Sequence, residues 1–67
     1  MLPPVEIARA KQLLGPLGGE WLLEFNDIQN AKLGGRPFNE IRFEELLRLV
    51  QPFLDAEHAR LLLRKNL

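Results

Sequence analysis

The chain lacks four residue types, since its 67 residues include no cysteine, serine, threonine or tyrosine. Without cysteine, disulfides and cysteine-ligated metal sites are impossible. Without the hydroxyl residues, the chain has no hydroxyl nucleophile and no site for side-chain phosphorylation or Asn-x-Ser/Thr glycosylation. Only carboxylates, lysines and one histidine, His58, remain for acid-base chemistry. We therefore expect a protein that is not an enzyme and that uses no cofactor and no metal.

An excess of either charge is also missing, because nine basic residues balance nine acidic ones. The two signs are mixed along the chain, so no basic arm would draw it to nucleic acid or to an anionic membrane. No apolar run approaches the ~18 residues that span a bilayer, and the first residues lack the basic-then-apolar order of a signal peptide. These features predict a cytoplasmic protein that does not enter a membrane.

Leucine is the most abundant residue, with 15 copies. A chain of this length forms one domain, residues 1–67, and buries only about 60% of its unfolded surface, so it is marginally stable without further support. Because no disulfide can form, close helix packing and association with a second copy are the remaining supports. The sequence therefore predicts a compact helical domain that forms a homodimer.

The clearest element is the segment 38–54, which has a start signal, helical periodicity and a stop signal. Asn39 can cap the first turn through its side-chain oxygen, and Phe38 and Phe43 have the spacing of a hydrophobic staple. Pro52 is expected to end the helix, because proline lacks the N–H donor and pushes the residue before it out of the α region. The apolar side of this predicted helix consists of Phe43, Leu46, Leu47, Leu49 and Val50.

Two further helices are predicted at the ends of the chain. Residues 1–18 form the first, with Pro4 at its first position and a stop at Gly15 and Pro16. Residues 55–67 form the last, capped by Asp55. The predicted apolar face of this last helix consists of Ala56, Ala59, Leu62, Leu63 and Leu67, with Leu61 outside it.

Residues 19–35 have two interpretations. As a helix, they place Trp21, Phe25 and Ile28 on one face, and Gly34 closes the end. As a hairpin, they would give an α+β fold with two short strands within residues 20–43. The apolar residues of this segment do not alternate as in a strand, so we expect an all-α fold of three to four helices.

Protein association is the function that the composition favours. Leu23, Ile41 and Leu61 point away from the main apolar faces of their helices, and Trp21 and Phe25 are large enough to anchor a core or an interface. These five residues are the candidate interface residues. The expected function is a small interaction or regulatory module that presents a helical apolar surface to another protein or to a second copy of itself.

The alternative is a small dimeric DNA-binding regulator with a helix-turn-helix. A turn at residues 51–54 would join the last two helices, and Arg60, Arg64 and Lys65 would contact the DNA. However, Asp55 and Glu57 lie in the helical turn that should meet the base edges, where they would repel phosphates. The balanced net charge also disfavours this alternative.

Overall fold

Three helices make up the fold of residues 2–65, which are the residues that the computed structural model describes. Helix α1 spans Pro4–Leu14, α2 spans Gly18–Leu33 and α3 spans Glu40–Lys65. Each helix packs against the other two. The predicted all-α class is confirmed.

Helix α2 settles the two interpretations of its segment. Leu22 and Phe25 are only 3% and 4% exposed, and Trp21 and Ile28 pack beside Phe25. Leu22 and Phe25 are three positions apart, so a strand would place them on opposite faces. The alternative hairpin within residues 20–43 is therefore wrong.

The turn between α1 and α2 brings these two helices into close contact. Gly15 ends α1 with a φ of 101°, a conformation that glycine adopts without strain. Gly18 and Gly19 then open α2 and are buried. A Cβ atom on Gly18 would press on the backbone carbonyl oxygen of Ala10 and would lie 2.8 Å from the Cβ atom of Leu14. Only glycine permits this approach.

The start of α3 follows the predicted capping pattern. The backbone N–H of Arg42 donates to Oδ1 of Asn39 at 3.0 Å. The rings of Phe38 and Phe43 meet edge to face, with their centroids 5.9 Å apart. The cap and the staple together fix where the chain enters the helix.

Pro52 does not end this helix, contrary to the prediction, because α3 continues through it to Lys65. Val50 is fully buried and Phe53 is 4% exposed, so the core holds the chain on both sides of the proline. Pro52 and Arg48 are both exposed. Water can therefore reach the side of α3 where the carbonyl oxygen of Arg48 has lost its helical donor.

Two further expectations fail with the continuous helix. No turn exists at residues 51–54, so the last two predicted helices are one. Asp55 is an interior residue of α3 rather than an N-cap, and its carboxylate accepts a hydrogen bond from the side chain of Gln51 at 2.9 Å. The fold has three helices because tertiary packing outweighs the local preference of proline.

The core has two parts along α3. Near the middle of α3, all three helices meet, and between α2 and the first half of α3 the ring of Phe25 stacks on Phe43 with centroids 5.3 Å apart. The buried side chains are Ala10, Leu22 and Phe53 in the first part and Phe25, Leu46 and Val50 in the second.

Two arginine–glutamate pairs connect the helices around this core. Arg42 of α3 donates to both carboxylate oxygens of Glu24 in α2, at 2.7 and 2.8 Å. Arg9 of α1 likewise donates to both oxygens of Glu57 in α3, at 2.9 and 3.3 Å. These bidentate pairs fix the orientation of α3 relative to its two neighbours.

We expect Gly18→Ala to destabilise the fold by about 1–3 kcal/mol, the usual cost of overpacking, because the added methyl group meets the backbone of α1. Gly19→Ala is the matched control. There the added Cβ lies 2.9 Å from a methyl group of Ile7, which can move. Urea unfolding should show a clear loss for Gly18→Ala and a smaller change for Gly19→Ala. Equal stability of the two variants would contradict the close approach.

Candidate interaction surfaces on the third helix

Helix α3 extends beyond the other two helices. It has 26 residues, about 39 Å of helix, against 11 in α1 and 16 in α2. Glu57 still bonds to Arg9 of α1. From His58 to Arg64, every residue is exposed. The last two turns of α3 therefore present both of their sides to solvent.

The first surface, which we call the end patch, consists of Leu61 and Leu62 with His58 and Arg64 beside them, and these four residues line an open depression. Leu61 is 51% exposed and Leu62 is 48% exposed. At about 100° per residue, Leu61 falls in line with Val50 and Leu54, which pack on the core. The core-facing side of α3 thus continues past the end of the core without a helix to cover it.

This geometry corrects the predicted apolar face of the last helix. Leu61, placed outside that face by the sequence, lies on the core-facing side of α3. The residues assigned to the face are all exposed where the structure describes them, because most of them point away from the core. These residues are Ala56, Ala59, Leu62 and Leu63, and Leu67 lies outside the described residues.

The second surface, which we call the outer stripe, consists of Ile41, Leu49, Pro52, Ala56, Ala59 and Leu63. All six residues are exposed, with Ile41 at 73% and Leu63 at 69%. At about 100° per residue they fall within an arc of roughly 80°, opposite the side that packs on the core. The exposed Glu45 falls within the same arc. The stripe was not predicted, because Pro52 was expected to divide it between two helices. Reading 40–65 as one helix reveals it.

Charge is separated along α3. Residues 40–57 include five acidic and two basic residues, a net charge of −3. Residues 58–65 include three basic residues and no acidic one, a net charge of +3. The neutral total of the chain therefore conceals an acidic and a basic portion of the same helix.

Glu57 is the last residue of the acidic portion of α3, and its carboxylate has two arginine partners. It accepts hydrogen bonds from Arg60 at 2.8 Å and from Arg9 at 2.9 Å. These bonds, with Arg60 the larger influence, hold the pKa of Glu57 below its ordinary value, although desolvation acts in the opposite direction. A carboxylate held ionised by two guanidinium groups suits a structural ion pair.

The candidate interface residues of α2 lie in different environments. Phe25 is a core residue at 4% exposure and stacks on Phe43 inside the fold, so of the two predicted roles it anchors the core. Trp21 is half-buried against the same cluster. Leu23 is 43% exposed on the outside of α2.

The two candidates on α3 belong to different surfaces. Ile41 lies in the outer stripe and Leu61 in the end patch. They are 20 positions apart, which is about 30 Å along a helix, and they face nearly opposite directions. The structure therefore does not bring the predicted residues together into one patch.

The residues proposed for DNA contact are also separated in role. Arg60 is bound to Glu57, whereas Arg64 is exposed beside the end patch. Lys65 ends α3, and its side chain lies outside the described part of the chain. The turn that the helix-turn-helix requires is missing, because residues 51–54 are helical.

Comparison of the chain with protein-family models, with curated proteins and with solved structures gave no match. Within residues 2–65, none of the helices combines the length and the apolar composition needed to cross a bilayer. In the same range, histidine and acidic side chains form no group of three or more that could hold a metal ion.

We expect the stability of the protein to fall as the pH drops through the lowered pKa of Glu57. A carboxylate whose pKa is lower in the folded state stabilises the fold above its ordinary pKa, and this contribution is lost on protonation. Glu57→Gln should therefore be less stable than the natural protein at pH 7 and should lose less stability in acid. Urea unfolding at pH 7 and pH 3 measures both effects. Glu44→Gln, an exposed glutamate of the same helix, is the control, and equal behaviour of the two variants would contradict the role of Glu57.

Proposed function

We propose that this protein is a small, non-enzymatic interaction module, and that its end patch binds a helix of another protein. The observation that supports this most directly is the continuation of the core-facing side of α3 beyond the core. Leu61 occupies the position on α3 that further up the helix belongs to Val50 and Leu54, but it is 51% exposed. A partner helix laid on the end patch would complete the packing that α1 and α2 provide elsewhere.

The apolar gain from this contact is modest. Complete burial of a leucine side chain is worth roughly 1.5–3 kcal/mol, and Leu61 and Leu62 are already about half covered. Covering both therefore adds about 2 kcal/mol, which is too little for specific binding without further contacts. The flanking charges must contribute to the choice of partner.

Those charges specify the chemistry of the partner. Residues 58–65 carry only basic groups besides His58, so two copies of this segment would repel each other. A helix with leucine-like residues on one face and acidic residues beside them would instead pair with Arg64 and gain electrostatic complementarity. We therefore propose an acidic amphipathic helix as the ligand of the end patch, and a cytoplasmic location for the complex.

A photo-crosslinking residue at His58 tests this proposal, because it lies beside the end patch without replacing Leu61 or Leu62. The control carries the same residue at Gln29, an exposed position on α2. In extracts of the cells that make the protein, we expect the His58 variant to form an adduct with a protein that the Gln29 variant does not capture. That protein should contain an acidic amphipathic helix.

Binding of the purified partner then decides the role of the patch. We expect Leu61→Ala with Leu62→Ala to raise the Kd at least tenfold, or about 1.4 kcal/mol, in fluorescence anisotropy. The matched control is Leu23→Ala with Leu33→Ala, two exposed leucines of α2, which should leave the Kd unchanged. Adducts with nucleic acid or lipid alone, or equal binding by the two double variants, would refute the proposed function.

A further inference from the structure

We propose that the outer stripe is the interface of a homodimer in which the α3 helices of two copies pack antiparallel, centred on Pro52. This inference goes beyond the proposed function, because it uses the opposite side of α3 from the end patch. It commits to a second copy of this chain as the occupant of the stripe. The arguments are the charge pattern, the register and the sizes of the residues in the stripe.

Charge decides the direction of pairing. Two parallel α3 helices would place residues 40–57, with a net charge of −3, against the same residues of the other copy. An antiparallel pair centred on Pro52 places residues 40–46 of one copy, with a net charge of −2, against residues 58–64 of the other copy, with a net charge of +2. Since like charges across an interface repel and opposite charges attract, the antiparallel arrangement is the favourable one.

The ends of the stripe then determine the register. Ile41 and Leu63 are the large residues at its two ends, and they are equally far from Pro52 along the helix. When Pro52 lies on the two-fold axis, Ile41 of each copy faces Leu63 of the other. Because a two-fold interface repeats every contact, both ends of the stripe are covered at once.

The middle of the stripe is suited to close approach. Ala56 and Ala59 have only a methyl group, and the ring of Pro52 is compact, so two helices can come near each other here with little side chain between them. Leu49, the other large residue of the stripe, lies at one margin of the arc, where it packs beside this close contact and not between the helix axes. The size pattern therefore agrees with the register that the ends require.

Two charged pairs, one along an edge of the stripe and one that includes Glu45 within its arc, fit the same register. Arg48 and Asp55 lie on one edge of α3, and each faces the other residue in the second copy. Glu45, which lies within the arc of the stripe, faces Arg60 on the other edge of the second copy. Both Glu45 and Arg60 already have a partner within their own helix, at 3.2 and 2.8 Å. A guanidinium has five N–H donors and a carboxylate about four acceptor sites, so each can take a second partner.

The absence of cysteine from the chain allows a direct test of the centre of the interface. Pro52→Cys places a thiol on the proposed two-fold axis, and Gln29→Cys places one on the exposed surface of α2 as the control. Under mild oxidation we expect the Pro52→Cys protein to form a disulfide-linked dimer and the Gln29→Cys protein to remain largely monomeric in a non-reducing gel. Equal crosslinking of the two variants would overturn the proposed interface. Circular dichroism confirms that each variant is helical.

Charge reversal tests the register independently. Asp55→Arg places two arginines opposite each other, and we expect it to weaken the dimer at least tenfold in analytical ultracentrifugation. Adding Arg48→Asp restores opposite charges and should return the dimer constant to within about threefold of the natural protein. The control Asp27→Arg reverses an exposed charge on α2 and should have no effect.

Three results would overturn the inference: a strictly monomeric natural protein at millimolar concentration, a dimer unaffected by Asp55→Arg, or a double variant no better than the single one. None of these results would affect the proposed function, because Leu61 and Leu62 lie outside the stripe. Conversely, partner binding that the leucine double variant leaves unchanged would refute the proposed function without affecting the dimer. The two proposals therefore fail separately.

Discussion

The continuity of α3 through Pro52 is the constraint on which the rest of the structure depends. A proline inside a helix costs about 3 kcal/mol. Burying Val50 and Phe53, on either side of it, contributes roughly 1.5–3 kcal/mol for each side chain. Because these two residues have the correct helical spacing to reach the same core, an unbroken helix keeps both buried, whereas a break at Pro52 would displace one of them. Packing therefore determines the path of the chain.

The close contact between α1 and α2 makes that long helix possible. The buried Gly18 lets the start of α2 touch the backbone of α1, so these two shorter helices form a compact pair. Helix α3 lies across both, and Phe53 reaches Ala10 and Leu22 between them. The pair supports the first two thirds of α3 and leaves the last third free, which is why the end patch has no covering helix.

The sequence predicted the features that depend on local chemistry. The cap at Asn39, the staple of Phe38 and Phe43, the stop at Gly15 and the helical character of α2 are all confirmed, because each rests on a hydrogen bond or a spacing within a few residues. Pro52 was misjudged because local preference indicates only the cost of a helix at that position. The compensating burial of Phe53 comes from residues that are distant in sequence.

The candidate surfaces could not be found while α3 was divided in two. The division assigned residues on either side of Pro52 to separate helices with separate apolar faces. The residues of the outer stripe were therefore not recognised as one surface, and Leu61 was assigned to the side of the helix that faces away from the core. It also concealed the charge pattern, because the acidic residues after Pro52 were counted with the basic end of the chain. Interpreting hydrophobic and charge periodicity thus depends on knowing where the helix ends.

The charge pattern of α3 is more than an adjustment to the helix dipole. The dipole favours acidic groups in the first turn and basic groups in the last, and its effect fades within one turn. Glu40 and Arg64 satisfy that requirement.

Asp55 and Glu57, however, lie far from the N-terminus of α3 and extend the acidic portion to the point where the basic portion begins. Glu57 is explained by its bonds to Arg9 and Arg60, whereas Asp55 is bonded only to a neutral side chain among the described contacts. A second copy that brings Arg48 to Asp55 supplies the opposite charge, and an antiparallel dimer of this kind leaves both end patches free, so one assembly could hold two partners.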